Sequence, residues 1–241
     1  MKICIISDAH GNLNALEAVL KELETKSVDK IICLGDLIIG ATKSEEVVQK
    51  VISLKDKIIC VRGNREKYII EGMPEFVHGK KTTQEQLESS NFIKRQLSDS
   101  SKEFINKLPE EILYEVENKK IYIAHYPMNK DGEFKKHIKV PSLEQSEELF
   151  SDIEADVFLY GHTHEKNYHE NNNKFYINPG TLGCPGKTNF APYGILEIIN
   201  KEVRYEQLQV SYNVDEVIRD IEEMKLPRYK NVLNLYYGRE C

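Results

Sequence analysis

The 241-residue sequence predicts an α/β protein of two packed sheets with helices outside. Three observations carry that expectation. In the first third, short β-prone apolar runs alternate with segments of helical period, the pattern of a parallel sheet with right-handed crossovers. In the second half, several strand pairs separated by turn residues require a second sheet. Five apolar runs also end in polar residues able to bind metal, and in parallel sheets ligands gather at the carboxyl ends of strands.

The elements follow in order. Lys2 to Ile6 is an almost uninterrupted apolar run, as expected for a strand covered on both faces. Asn12 can cap a helix in which Leu13, Leu16, Val19, Leu20 and Leu23 share a face. A second strand over 30–34 leads into a helix from about Lys43, with Val47, Val48, Val51 and Ile52 aligned, and a third runs over 57–61. Residues 66–107 turn polar, with Phe92, Leu97, Phe104 and Leu108 as apolar anchors, and predict two or three helices over the active edge of the sheet. Strands over 112–116 and 120–124 form a hairpin turned at Glu117-Asn118; a loop rich in Gly and Lys spans 128–140, and a helix opens at Pro141-Ser142. After a strand over 156–160, hairpins are predicted around Asn171-Asn172-Asn173 and Asn200-Lys201, the latter pairing 193–199 with 202–209. Residues 213–241 read as a helical tail, and the whole chain, 1–241, as one domain with 66–107 as a helical cap.

Composition narrows the function classes. A net charge of -6 disfavours nucleic-acid backbones and acidic membranes as partners. No apolar run approaches the roughly 20 residues of a membrane span. The 5 cysteines are dispersed and odd in number, which favours reduced thiols and a cytoplasmic location. Cys184, in a Gly/Pro-rich loop, has no base near it in sequence.

The strand ends carry the chemistry. Gly161-His162-Thr163-His164 follows Val157-Phe158-Leu159-Tyr160; Asp8 and His10, Asp36, Asn64 and His125 follow four other apolar runs. Asp8 and His10 are two apart, so on an extended segment their side chains share a side. The set Asp8, His10, Asp36, Asn64, His125, His162 and His164 offers oxygen and nitrogen donors without thiolate, which suits Mn²⁺, Fe or Zn²⁺ catalytic centres. Seven side chains exceed one open site and match two ions sharing a carboxylate.

The series Asp8-X-His10-Gly11-Asn12, Gly35-Asp36, Gly63-Asn64-Arg65-Glu66, His125 and Gly161-His162-Thr163-His164 resembles the calcineurin-like metallophosphoesterase superfamily in order and spacing, from Ile3 to about Thr181. The Asp-Ala-His-Gly-Asn-Leu block is similar to the branch related to bacterial diadenosine tetraphosphatases. The resemblance implies a four-layer α/β/β/α sandwich with a helical insertion near the active site. It also implies two divalent or trivalent ions, Mn and/or Fe with Zn as an alternative. Asp8, His10, Asp36 and His164 would hold one, and Asp36, Asn64, His125 and His162 the other, with Asp36 bridging. A hydroxide between the ions would attack a phosphodiester or phosphoanhydride, with a dinucleoside polyphosphate such as diadenosine tetraphosphate favoured and a nucleotide as the small-molecule partner. The alternatives are a phosphomonoesterase acting on phosphoprotein or nucleotide, and a non-catalytic scaffold, which the intact ligand set argues against.

One position departs from the family pattern. Many members carry His after the Gly-Asn pair, where it can protonate the leaving group; this chain has Arg65. A guanidinium is a poor general acid and a good clamp on phosphate charge, although Arg65 could instead cap a helix or pair with a carboxylate such as Glu66. Asn12 is expected either as a substrate contact or as an N-cap. Asn178-Pro179-Gly180-Thr181 resembles the loop that shapes the family's pocket. His78, His137 and His169 have no motif context, and Lys135-Lys136 reads as a solvated pair.

Overall fold

The computed structural model describes residues 1–77 and 79–240; His78 and Cys241 lie outside the described residues. The chain begins β1 (Lys2–Ile6), α1 (Leu13–Leu23), β2 (Lys30–Cys33), α2 (Ser44–Ser53) and β3 (Ile58–Cys60). Next come α3 (Asn64–Glu71), the short pair β4 (Phe76–Val77) and β5 (Lys80–Lys81), α4 (Gln84–Gln96) and α5 (Asp99–Lys107). The middle comprises β6 (Glu111–Val116), β7 (Lys119–Ala124), α6 (Leu143–Leu149) and β8 (Val157–Leu159). Then follow β9 (Lys166–Asn171), β10 (Lys174–Pro179), β11 (Phe190–Ile199), β12 (Glu202–Ser211), α7 (Val214–Met224) and α8 (Tyr229–Tyr237).

Two five-stranded sheets result, ordered β12-β11-β1-β2-β3 and β6-β7-β8-β10-β9. Strands β1, β2 and β3 are parallel, as are β7, β8 and β10. The three main hairpins turn on Glu117-Asn118, Asn172-Asn173 and Asn200-Lys201, each with two successive positive φ values between 49° and 69°. This is the type I′ geometry that matches the twist of the flanking strands.

Period-two alternation sorts each strand between layers. Ile3, Ile5, Ile32, Leu34, Leu196 and Ile198 face the space between the sheets, where they meet Ile121, Ile123, Val157, Leu159 and Ile177 of the second sheet. Their neighbours Cys4, Ile6, Ile31, Cys33 and Ile195 face outward onto Leu16, Val19, Val47, Val51, Ile105 and Ile218. On the far side of the second sheet, Tyr122, Phe158 and Tyr176 pack with Leu149 and Phe150 at α6. The layers are therefore helices, sheet, sheet, helix, as the sequence predicted.

Two placements differ from the sequence expectation. The β11-β12 hairpin does not extend the second sheet: β11 pairs antiparallel with β1 and completes the first. Its residues are apolar on both faces, with Tyr193 and Ile195 packed outward and Leu196 and Ile198 inward, so it needs a position covered on both sides. In α4 and α5, Ile93, Leu97 and Ile105 are buried in the outer helical layer with α1 and α2. Within the 66–107 segment it is Tyr68 to Val77, rather than α4 or α5, that walls a cavity beside the strand ends.

Ile32 is fully buried between the sheets, whereas Ile199 at the end of β11 is 55% exposed. Ile32→Ala should lower the unfolding free energy by about 2–5 kcal/mol in denaturant titration. Ile199→Ala should stay within about 0.5 kcal/mol of the parent.

Candidate metal centre

The carboxyl ends of β1, β2 and β3 meet those of β7 and β8, and this convergence gathers all seven expected ligands. The local backbone is unusual. Asp8, His10, Asp36, His162 and His164 all have positive φ, between 48° and 68°. Such residues cost of order 1–3 kcal/mol each and persist only where the surroundings over-determine them. Here the surroundings are backbone bonds between loops: Asp8 N donates to Gly35 O at 3.0 Å, His10 N to Asp36 O at 2.9 Å and Gly11 N to Leu37 O at 2.8 Å. Asp8 and His10 thus converge through left-handed turns, not through the alternation of an extended strand as the sequence suggested; β1 has already ended at Ile6.

The imidazole tautomers follow from their outer partners. His10 Nδ1 lies 3.0 Å from Ile39 O and 3.2 Å from Ile38 O, and His125 Nδ1 lies 2.7 Å from Leu34 O. Carbonyls only accept, so both Nδ1 atoms carry the proton and both Nε2 atoms present lone pairs to the centre. His10 Nε2 is 3.0 Å from His164 Nε2, 3.7 Å from Asp8 Oδ1 and 3.7 Å from Asp36 Oδ2. His125 Nε2 is 3.1 Å from Asn64 Oδ1, 3.1 Å from His162 Nδ1 and 3.5 Å from Asp36 Oδ2. Imidazole lone pairs and carboxylate oxygens converge at these distances, an arrangement that a cation among them would satisfy. Asp8 Oδ1 is buried with no hydrogen bond. Donor type, tautomer and the orphaned oxygen all fit bound metal.

Electrostatics agree. Burial opposes ionisation of Asp8, but His164 beside it outweighs that and holds its carboxyl well below the usual carboxylate range. Burial lowers His10 to about 4 against the pull of Asp36, so it stays neutral, as a ligand must.

Glu66, which the sequence offered only as a partner for Arg65, proves to be the scaffold of the bridge. Its carboxylate accepts Asp36 N at 2.9 Å, Leu37 N at 2.8 Å and Gly63 N at 2.8 Å. Burial and nearby Asp36 push it up to about 7, and the amides of Gly63 and Asp36 pull it back. Arg65 pairs instead with Asp36, its Nε 3.8 Å from Oδ2 and its backbone N donating to Oδ1 at 2.8 Å. Gly63 approaches so closely that a Cβ there would overlap the Asp36 side chain.

Asn12 takes the cap role. Its Oδ1 accepts Ala15 N at 3.0 Å, and its amide donates to Leu182 O at 3.1 Å and Tyr212 Oη at 3.0 Å. It is fully buried with both amide hydrogens engaged, the second of the two roles the sequence offered. The Asn178–Thr181 loop ties the halves together: Asn178 Nδ2 donates to Gly161 O at 2.8 Å, and Thr181 Oγ1 to Asp8 O at 2.8 Å.

Several residues near the centre had no signal in the sequence. Tyr236 of α8 lies with its ring 5.3 Å from that of His10, and Arg65 donates to its hydroxyl at 3.3 Å. Phe134 and His137 pack against His162 at 5.2 Å and 5.3 Å between centroids. Cys184 groups with His10 and His164, the ligand atoms of the three lying within 4.8 Å of one another. Tyr236, Phe134 and His137 lie away from the motifs in sequence and are brought in by packing, while Cys184 closely follows the Asn178–Thr181 loop. His169 lies elsewhere, against Pro141 O. Lys135 donates to Asp152 and Leu149 O, and both it and Lys136 line the cavity beside Asn64.

Residues 1–201 match the family model of the calcineurin-like phosphoesterase superfamily domain. Over 98% of this chain and 98% of its own length, an uncharacterised protein of Methanocaldococcus jannaschii, MJ0912, is 27% identical. The phosphodiesterase MJ0936 of the same organism is 27% identical over 85% of this chain and 97% of its own. The crystal structure of a metallophosphoesterase from Sphaerobacter thermophilus covers 98% of each chain at a TM-score of 0.75 and 24% identity. Among the described residues no helix is long and apolar enough to cross a membrane. With the family model spanning most of its length, this chain belongs to the calcineurin-like phosphoesterase superfamily and is a hydrolase of that family.

Proposed function

We propose that this chain is a two-metal hydrolase of phosphodiesters or phosphoanhydrides whose substrates carry a large group on each side of the scissile phosphorus. Dinucleoside polyphosphates such as diadenosine tetraphosphate are the favoured class. The observation that carries this reading is a pair of cavities at the ligand cluster, one beside each half of it. One, about 770 Å³, reaches Asn64 and His162 and is walled by Tyr68, Phe76, Phe134 and Lys136. The other, about 780 Å³, reaches His164 and Thr181 and is walled by Lys139, Lys166 and Tyr236. A phosphomonoester would fill one cavity at most. Aromatic walls suit base stacking, and lysines raise the local concentration of phosphate.

In this reading Asp8, His10, Asp36 and His164 hold one cation, and Asp36, Asn64, His125 and His162 hold the other. The oxygen and nitrogen donors suit Mn or Fe, with Zn as an alternative. Bound ions there supply charge to the phosphoryl oxygens and acidify a water for in-line attack. Asp36 spans both halves because one of its oxygens sits near His10 and His125, at 3.7 Å and 3.5 Å. Arg65, kept protonated against burial by Tyr236 and Asp36, adds a fixed positive charge at the bridge and cannot deliver a proton. Leaving groups that depart without protonation, nucleoside phosphates among them, fit that arrangement. Among the described residues the four cysteines are free thiols, in keeping with a reducing, cytoplasmic setting.

The test compares diadenosine tetraphosphate, an aryl phosphodiester and an aryl phosphomonoester with Mn²⁺ present. The paired cavities predict that the first two turn over and that the monoester is slowest; a monoester preference would sink the reading. Asp36→Asn should reduce kcat/KM by more than about 100-fold, beyond the 10–100-fold typical of groups that only orient a ligand. The same variant should lose bound metal by elemental analysis. Arg65→Ala should slow anhydride turnover at saturating substrate while metal content stays at the parent level; unchanged anhydride turnover would remove Arg65 from the mechanism.

A further inference from the structure

We infer that Cys184 is an additional ligand to the cation held by His10 and His164, so that this half of the centre carries a thiolate while the other half has only oxygen and nitrogen donors. The inference rests on the two-metal reading above and adds a residue to it. His10, His164 and Cys184 each offer a ligand atom, and the three atoms lie within 4.8 Å of one another. A thiolate at about 2.3 Å and imidazoles at about 2.0–2.1 Å from a common ion span such a triangle with small side-chain rotations.

A second observation points to the same place. Asp8 is fully buried, and its Oδ1 has no hydrogen bond and lies 3.3 Å from His164 Nε2. A buried carboxylate oxygen left unmatched beside the imidazoles of His10 and His164 marks where a cation shared with those two residues completes the set.

The loop positions the sulfur. Cys184 N donates to Thr181 Oγ1 at 3.2 Å, and that hydroxyl in turn donates to Asp8 O. The peptide carrying the thiol is thus tied to the peptide carrying the carboxylate. Pro185 follows and limits the backbone on the other side. Gly183, just before, lies so close to His10 that a Cβ there would fall 2.5 Å from the His10 Cβ. The other described cysteines, Cys4, Cys33 and Cys60, are buried in strands and point into the core or its edge.

Binding would form a metal–sulfur bond and release the thiol proton to solvent, with no change of oxidation state. A soft ligand at one of two sites biases that site toward zinc, cobalt or iron and leaves the other suited to manganese. The two ions would then differ in identity.

The experiment is Co²⁺ titration of the metal-free full-length protein, followed by electronic absorption. Thiolate ligation gives an intense near-ultraviolet sulfur-to-cobalt charge-transfer band in addition to the weaker visible bands of any bound Co²⁺. The expected result is that band in the parent protein, lost in Cys184→Ser and Cys184→Ala while the visible bands remain. Bound cobalt without the charge-transfer band, or a band that survives both substitutions, overturns the assignment and leaves the two-metal reading intact. If no cobalt binds at all, both fall. The parent spectrum decides even if a variant fails to fold.

Discussion

Everything at the centre depends on one buried carboxylate that does not itself face the cleft. Glu66 is fully buried and gathers the backbone amides of Asp36, Leu37 and Gly63. Those bonds hold the turn after β2 in the left-handed conformation that brings Asp36 in line with His10 and His125. They also join the loops after β2 and β3, which no side chain of either strand could do alone. A carboxylate saturated by backbone donors is a rigid anchor, because moving it would leave several buried N–H groups unmatched at about 1–3 kcal/mol each.

The metal-capable atoms are held apart in the same manner, by outer partners that fix direction. Carbonyls of Leu34, Ile38 and Ile39 take the protons of His125 and His10 and turn their lone pairs inward. The inward lone pairs of His10 and His125, set beside the Asp8 and Asp36 carboxylates, preorganise the centre for a cation. The strain of five left-handed ligand residues belongs to the same economy: the folded layers hold a geometry that the isolated loops would not adopt.

Access is shaped by parts of the chain remote from the motifs. The segment from Tyr68 to Val77 and the 132–137 loop face each other across one cavity. The 181–188 loop and Tyr236 of α8 border the other. The C-terminal helices therefore belong to the site as well as to the outer layer, since Leu233 and Tyr237 pack inward while Tyr236 reaches Arg65. Variation in these flanks can change what enters without disturbing the ligands.

The sequence by itself determined the alternation of strands and helices, the three Asn-containing hairpin turns and all seven strand-end donors. These are local properties: period, turn chemistry and a residue's distance from the end of an apolar run. The tertiary structure decided which sheet the β11-β12 hairpin joins, because only the free edge of β1, covered on both faces, could accept a strand apolar on both sides. It decided that Asn12 is saturated within the fold and that Arg65 meets Asp36 while Glu66 holds the backbone. It also brought in Tyr236, His137 and Cys184, whose proximity to His10, His162 and His164 arises from loops closing over more than a dozen to more than two hundred positions of chain. Such contacts depend on where the layers stack and how the loops close between them, and no local pattern in the sequence records that.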